Sequence, residues 1–451
     1  MTTYARRIGL FSATMLVIGG IIGSGIFLNP AIVAQRVGTP GLTVGSWVLG
    51  GVVALLGAFC FAELGAQRPR VGGGYAYLRE AFGPLPAFLY GWALLLVIAT
   101  GATAAVAVTF ARYLGAFLGL AESAAVPVAV AAIVVLSVVN VLGVRPGSLT
   151  VNVFTILKLA AIAAVIAGGL LATPVEFVPA NQVDPPLVPV GPFPVFVAIG
   201  AALVPILFAY GGWQQTNFVA EEMVEPERNL PRALVIGTLI VVLVYVLANL
   251  AYVRTLGVAG LAASRAPAAD VLGAALGDAG RRAISLGIAC STFGFLNLVI
   301  LVTPRVYQAM AADGVFFPRL ATLHPRYRTP ALAIALQGAW AVVLALSGTY
   351  AQLLDYVVFG DWIFFGLCAA TLFVFRRREG PPPRFRVPLW PLPPALFILA
   401  ALYVMVSSVG QNPGNAAIGT ALLLAGLPVY WYWKRGEAQR HRGTAAQEKQ
   451  P

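Results

Sequence analysis

The chain has 451 residues, of which 59% are hydrophobic and 10% charged, against roughly 25% charged in a typical soluble domain. So little polar surface excludes a soluble globular protein of this size. The formal net charge of +12 invites a nucleic-acid reading, which the placement of the charges along the chain, given below, removes.

Apolar stretches long enough to cross about 30 Å of hydrocarbon recur from end to end. They predict an all-α polytopic membrane protein of twelve transmembrane helices, near 8–35, 42–67, 84–118, 124–143, 149–172, 193–222, 232–256, 282–313, 328–346, 350–376, 388–407 and 414–434. The first follows Arg6-Arg7, but it is too long for a signal-peptide core and lacks a small-residue cleavage site, so it reads as a retained helix. It contains Gly19-Gly20-Ile21-Ile22-Gly23-Ser24-Gly25-Ile26-Phe27. Each glycine costs about 1 kcal/mol relative to alanine inside a helix, so local unwinding competes there with close helix packing through small residues. The fifth span carries Lys158 near the middle of an otherwise apolar run, where a charge costs at least about 2.5–3.5 kcal/mol on insertion scales. All the other basic residues except Lys434 and Lys449 are arginines; a lone lysine at that depth points to function rather than to snorkelling.

The connection 173–192 is rich in proline and predicts an extended crossing. The sixth span then reads Pro205-Ile206-Leu207-Phe208-Ala209-Tyr210-Gly211-Gly212-Trp213, a second glycine interruption. The segment 257–281 is expected to be an external loop. The eighth span carries Ser291, Thr292 and Asn297, and the tenth carries Asp355 and Asp361. A hinge at Glu379–Arg384 sets off the last two helices, and the tail 435–451 is polar and expected to be disordered.

Helices one and six run in opposite directions, so matched interruptions in them suggest an inverted repeat. The resulting division is a core at 1–376, with repeats at about 8–172 and 193–376, followed by two further helices at 377–434. Unwound backbone cannot face lipid and must line a cavity or bind something, which points to a transporter. With a cytoplasmic N-terminus, 22 of the 29 basic residues fall on inside segments and six outside. That is the positive-inside bias, so the net charge orients the helices, both termini are cytoplasmic, and no nucleic-acid partner is implied. Cys60, Cys290 and Cys368 all lie in spans, so no disulfide to a partner subunit is expected. No nucleophile–base pair, metal cluster or phosphate-binding loop is present, so neither an enzyme nor a cofactor or metal is expected.

Several motifs are similar to those of the L-type amino-acid transporters, a family of the amino acid–polyamine–organocation superfamily. They are Gly23-Ser24-Gly25-Ile26-Phe27, Ala62-Glu63-Leu64-Gly65, Gly72-Gly73-Gly74-Tyr75-Ala76-Tyr77, Phe208-Ala209-Tyr210-Gly211-Gly212-Trp213 and Asn217-Phe218-Val219-Ala220-Glu221-Glu222-Met223 with Arg228-Asn229-Leu230-Pro231. The resemblance covers most of residues 8 to 376 and implies the five-plus-five inverted-repeat fold with broken helices one and six. It implies that the N–H groups of Gly23, Ser24 and Gly25 hold a substrate carboxylate, and that the carbonyls of Ile21, Phe208, Ala209 and Gly211 hold its ammonium. Phe208 becomes a gate rather than one more core phenylalanine, and Gly212 opens the side-chain pocket. Trp213 is a pocket wall or packing; Asn297 and Asp361 are further pocket candidates. Lys158 takes the place of a sodium ion between helices one, five and eight, bonding carbonyls of the first break and Ser291 or Thr292. Glu221 and Glu222 are expected to meet inside arginines such as Arg228. The function implied is sodium-independent exchange of neutral L-amino acids across the cell membrane. The alternatives are proton-coupled symport and exchange of cationic amino acids or polyamines.

Overall fold

Backbone polar groups find no water in hydrocarbon, so a spanning chain is helical or a closed barrel. The computed structural model describes residues 4–174, 191–347, 350–378, 382–411 and 413–434, and among these the named elements are all helices. Most of the 173–192 connection, the start of the Glu379–Arg384 hinge, the 435–451 tail and the Asp355 side chain lie outside them. In chain order the helices are α1 (Leu10–Ile21), α2 (Gly25–Val37), α3 (Pro40–Gln67), α4 (Gly74–Phe82), α5 (Pro84–Ala93), α6 (Ala99–Leu118), α7 (Ala125–Val141) and α8 (Val144–Leu171). They continue as α9 (Pro192–Tyr210), α10 (Pro226–Ala263), α11 (Pro267–Val302), α12 (Pro304–Ala312), α13 (Ala331–Ser347), α14 (Tyr350–Arg377), α15 (Leu392–Gln411) and α16 (Pro413–Leu424). A π turn at Leu94–Ile98 joins α5 to α6, and a 3-10 stretch at Trp213–Glu222 follows α9. Among the described residues nine helical segments are long and apolar enough to cross a membrane, and α1 with α2, bent by 41°, makes a tenth.

Large apolar side chains stand exposed along α7 and α8, among them Val134, Val138, Val153 and Ile156. Such a surface suits lipid and not water. The broken pair α1/α2 sits at the centre, packed against α8, α9, α10 and α11. The expected 257–281 loop is instead helical except for Ser264–Ala266, with bends at Gly257 and Gly277. These two glycines take positive φ (65° and 63°) and fold helical segments back without unwinding a loop.

The two prolines inside the broken spans have specific partners. Pro30 has no N–H for the Ile26 carbonyl one turn earlier; the Tyr252 hydroxyl of α10 donates to that carbonyl at 3.2 Å. Pro205 likewise releases the Ala201 carbonyl, to which the Arg36 guanidinium donates. Asn29 Nδ2 donates to the Pro205 carbonyl at 2.8 Å. The first two bonds satisfy backbone groups that lipid would leave orphaned at several kcal/mol, and all three tie α2 to another element.

Candidate functional site

α1 stops at Ile21 because Ile22 turns extended (φ −77°, ψ 96°), and the helix restarts at Gly25. The first N–H groups of α2 therefore have no partner within the helix, and Ser24 makes no side-chain cap to them. They form a positive pole at the start of a half-helix. α9 stops at Tyr210, where the Gly211 N–H closes back on the Phe208 carbonyl at 3.3 Å, and Gly212 then adopts φ 109°. The two breaks touch. A Cβ on Gly20 would lie 2.8 Å from the Gly212 carbonyl oxygen, and one on Gly212 would overlap the carbonyl of Gly20. The missing side chain of Gly212 makes room for the Gly20 carbonyl, and Gly212 also borders the cavity beside the crossing. Gly212 is required twice over, by its positive φ and by this backbone crossing.

Around the crossing lies a cavity of about 70 Å³, room for a handful of waters or one small solute. Ile21, Gly23, Ser24, Gly25, Phe208, Ala209, Gly211, Gly212 and Asp361 all line it. Leu94 and Ile98 of the π turn, Phe295 of α11 and Trp362 and Phe365 of α14 give it apolar walls. Gln214 and Gln215 also line it; Gln214 Oε1 accepts from the Gly212 N–H at 3.0 Å, while Gln215 Oε1 is buried without a partner.

Lys158 is fully buried. Its Nζ donates to the carbonyls of Gly19 at 3.0 Å and Ile22 at 2.5 Å. Ser291 of α11 donates to the Ile22 and Gly23 carbonyls at 3.4 and 3.0 Å. Lys158 and Ser291 thus meet at the first break through the Ile22 carbonyl. Thr292 does not join them: its hydroxyl donates to Ile288 and Ala289 of its own helix.

Other expected residues lie elsewhere. Asn297 is absent from the cavity lining; its Oδ1 accepts from Asn140 Nδ2 at 2.8 Å and its Nδ2 donates to the Gly147 carbonyl at 2.9 Å, so it ties α11 to α7 and α8. Trp213 packs among Phe61, Phe365 and Phe397. Glu222 pairs not with Arg228 but with Arg305 at 2.7 Å, both fully buried, and Arg228 pairs with Glu225. Glu221 accepts from the Val71 N–H. Arg305 sits fully buried on α12.

One residue of the site escaped the sequence reading. The Tyr245 hydroxyl of α10 reaches both breaks, bonding the carbonyls of Ile21 and Ala209 at 3.2 Å each. Tyr245, Asn249 and Tyr252 recur at i, i+4 and i+7 on a buried face of an apolar helix, the spacing of one helical stripe, and that stripe was the available signal.

Two interrupted helices crossing at a central cavity, with free amides at one pole and a buried amine bridging the break, define a broken-helix membrane transporter. A family model for amino acid permeases matches residues 8–432. The chain is 33% identical over 446 residues to the "Serine/threonine exchanger SteT" of Bacillus subtilis (strain 168), covering 96% of this chain and 98% of that protein. It is 34% identical over 451 residues to the "b(0,+)-type amino acid transporter 1" of Mus musculus, covering 97% and 91%. It is 34% identical over 443 residues to the "Large neutral amino acids transporter small subunit 2" of the same organism, covering 95% and 82%. The chain belongs to the amino acid permease family, as an L-type member of the amino acid–polyamine–organocation superfamily. It is an amino-acid transporter and not an enzyme.

Proposed function

We propose that the protein exchanges neutral L-amino acids across the cell membrane without sodium. The amides at Gly23, Ser24 and Gly25 receive the substrate carboxylate, and the carbonyls of Ile21, Phe208, Ala209 and Gly211 receive its ammonium. Phe208 closes over the substrate. Twelve spans, both termini in the cytoplasm and two inverted repeats of five helices complete the reading, and the contact of the two breaks at Gly20 and Gly212 supports the repeat. The single observation that carries sodium independence is Lys158. Its Nζ takes up the Gly19 and Ile22 carbonyls, the kind of unwound carbonyl that coordinates a coupling cation in transporters built this way. With its three cysteines all in helices, the chain works without a covalently attached subunit, although one relative's name calls it a small subunit.

Asp361 favours a second reading, exchange of cationic amino acids or polyamines, because it lines the cavity with Phe208 and Trp362 and an acid there suits a cationic side chain. Competition against a tracer amino acid in proteoliposomes separates the two. Under the first reading neutral amino acids compete and arginine and lysine do not, and Asp361→Asn keeps neutral uptake within about threefold, less than 1 kcal/mol. Competition by arginine or lysine that Asp361→Asn abolishes assigns the second.

A further inference from the structure

Away from the central cavity, a second and larger crevice opens where the C-terminal ends of α3 and α14 meet the start of α10 and the chain that leads into α15. It is an open crevice of about 820 Å³, within the size range of ligand-binding clefts. Six arginines line it, Arg68, Arg70, Arg376, Arg378, Arg384 and Arg386, against three glutamates, Glu63, Glu80 and Glu227. Three positive charges are therefore in surplus.

The glutamates are all engaged. Glu63, fully buried, accepts from Arg376 Nε and Nη2 at 2.7 and 2.5 Å and from the Val387 N–H at 2.6 Å. Glu80 pairs with Arg68 at 2.6 Å, while Arg70 and Arg378 approach the same carboxylate only to 3.8 Å. Glu227 holds Arg384 at 3.4 Å. Arg386 has no ion-pair partner among the described residues. The inner arginines are fixed by aromatic rings as well: Arg68 lies over Phe375 at 3.7 Å and Arg376 over Trp390 at 3.9 Å. A rigid inner tier thus holds three outer guanidiniums, those of Arg70, Arg378 and Arg386, with charge left over. The positive-inside rule explains arginines on this face, but it does not require them to converge on one open crevice.

We propose that this crevice is a binding site for a phosphate-bearing polyanion, with two phosphates answering the surplus charge. The planar guanidinium fork matches phosphate oxygens bidentately, and basic pockets between helix ends on the cytoplasmic side suit phospholipid head groups. Leu389 and Leu392 stand exposed beside the mouth at 79% and 53%, where acyl chains would lie. The site is independent of what the central cavity carries; only its cytoplasmic placement rests on the orientation proposed above.

The test is the thermal unfolding midpoint of the full chain in detergent, titrated separately with cardiolipin, phosphatidylcholine and inorganic pyrophosphate. Three proteins are compared: wild type, the crevice triple Arg70→Gln/Arg378→Gln/Arg386→Gln, and the control triple Arg145→Gln/Arg232→Gln/Arg319→Gln, of equal charge change at other exposed positions. Cardiolipin raises the wild-type midpoint and phosphatidylcholine does not. The crevice triple needs at least about tenfold more cardiolipin for the same shift, since each arginine near a membrane surface contributes about 1 kcal/mol, and the control triple titrates like wild type. Pyrophosphate acting with the same dependence on the crevice arginines identifies a soluble anion as the ligand, and its failure identifies the lipid. Equal weakening in both triples, or cardiolipin binding to the crevice triple as to wild type, overturns the proposal.

Discussion

Lys158 makes no ion pair among the described residues; its Nζ is spent on two carbonyls exposed where α1 ends. Charge-assisted bonds of this kind are each worth about 1.5–3 kcal/mol, but Ser291 also holds the Ile22 and Gly23 carbonyls, so the break keeps a partner when Lys158 is lost. Lys158→Ala is therefore expected to remain folded and monodisperse while its transport rate falls at least about tenfold, equivalent to some 1.4 kcal/mol. Size-exclusion chromatography beside tracer uptake measures both, and wild-type turnover contradicts the role. Lys158 was legible in the sequence because a lone lysine in an apolar span has few reasons to exist. Tyr245 was not, because a tyrosine in a membrane helix is unremarkable until the backbone it meets is known; its function lies in the Ile21 and Ala209 carbonyls, distant in sequence. Asn297 shows the opposite error. A buried amide was taken for a pocket residue, and its bonds to Asn140 and Gly147 hold helices together.

At the scale of elements, the broken helices depend on two close contacts that the sequence only half disclosed. The glycine clusters marked the breaks, yet their purpose, passing one backbone over another, needs both partners in view. Gly212→Ala adds positive-φ strain of about 1–3 kcal/mol to overlap with the Gly20 carbonyl. It is expected to reduce the yield of folded protein sharply. Gly211→Ala, at φ −68° and with its nearest contacts at 3.4 Å, keeps a wild-type elution profile. Equal behaviour of the two variants removes the crossing from the account.

The 3-10 stretch after the second break is anchored by the Arg305–Glu222 pair, with neither side chain exposed by more than 1%. The N-terminal segment lies against the same place, where the Arg7 and Ile8 amides donate to the Glu222 carbonyl at 2.8 and 3.0 Å. Removing one member of a buried pair typically costs about 3–5 kcal/mol, whereas replacing both with apolar residues is near neutral. Arg305→Leu should thus lower the unfolding midpoint strongly, and Arg305→Leu/Glu222→Leu should recover most of the loss. A double variant no more stable than the single would mean that Arg305 acts through its bond to the Leu301 carbonyl instead.

For the whole molecule, composition was enough to place the chain in a membrane, and the spacing of apolar runs located most of its helices. It misjudged the 257–281 connection because helices that fold back at Gly257 and Gly277 share the composition of a loop. The central cavity was more legible than the helix ends: Ile21, Gly23, Ser24, Gly25, Phe208, Ala209, Gly211, Gly212 and Asp361 line it, whereas Asn297 does not. The partners of Glu222 and Glu63 instead come from α12 and α14, and no local pattern announces them. On the reading proposed above, a buried amine replaces a coupling ion, so that one amino acid drives another through the cavity. The direct measurement is uptake of a labelled neutral amino acid into sodium-free proteoliposomes, with and without unlabelled amino acid inside and with no proton gradient. Rapid uptake is expected only when the vesicles are loaded. Uptake that requires sodium, or that follows an imposed proton gradient irrespective of loading, would contradict that reading.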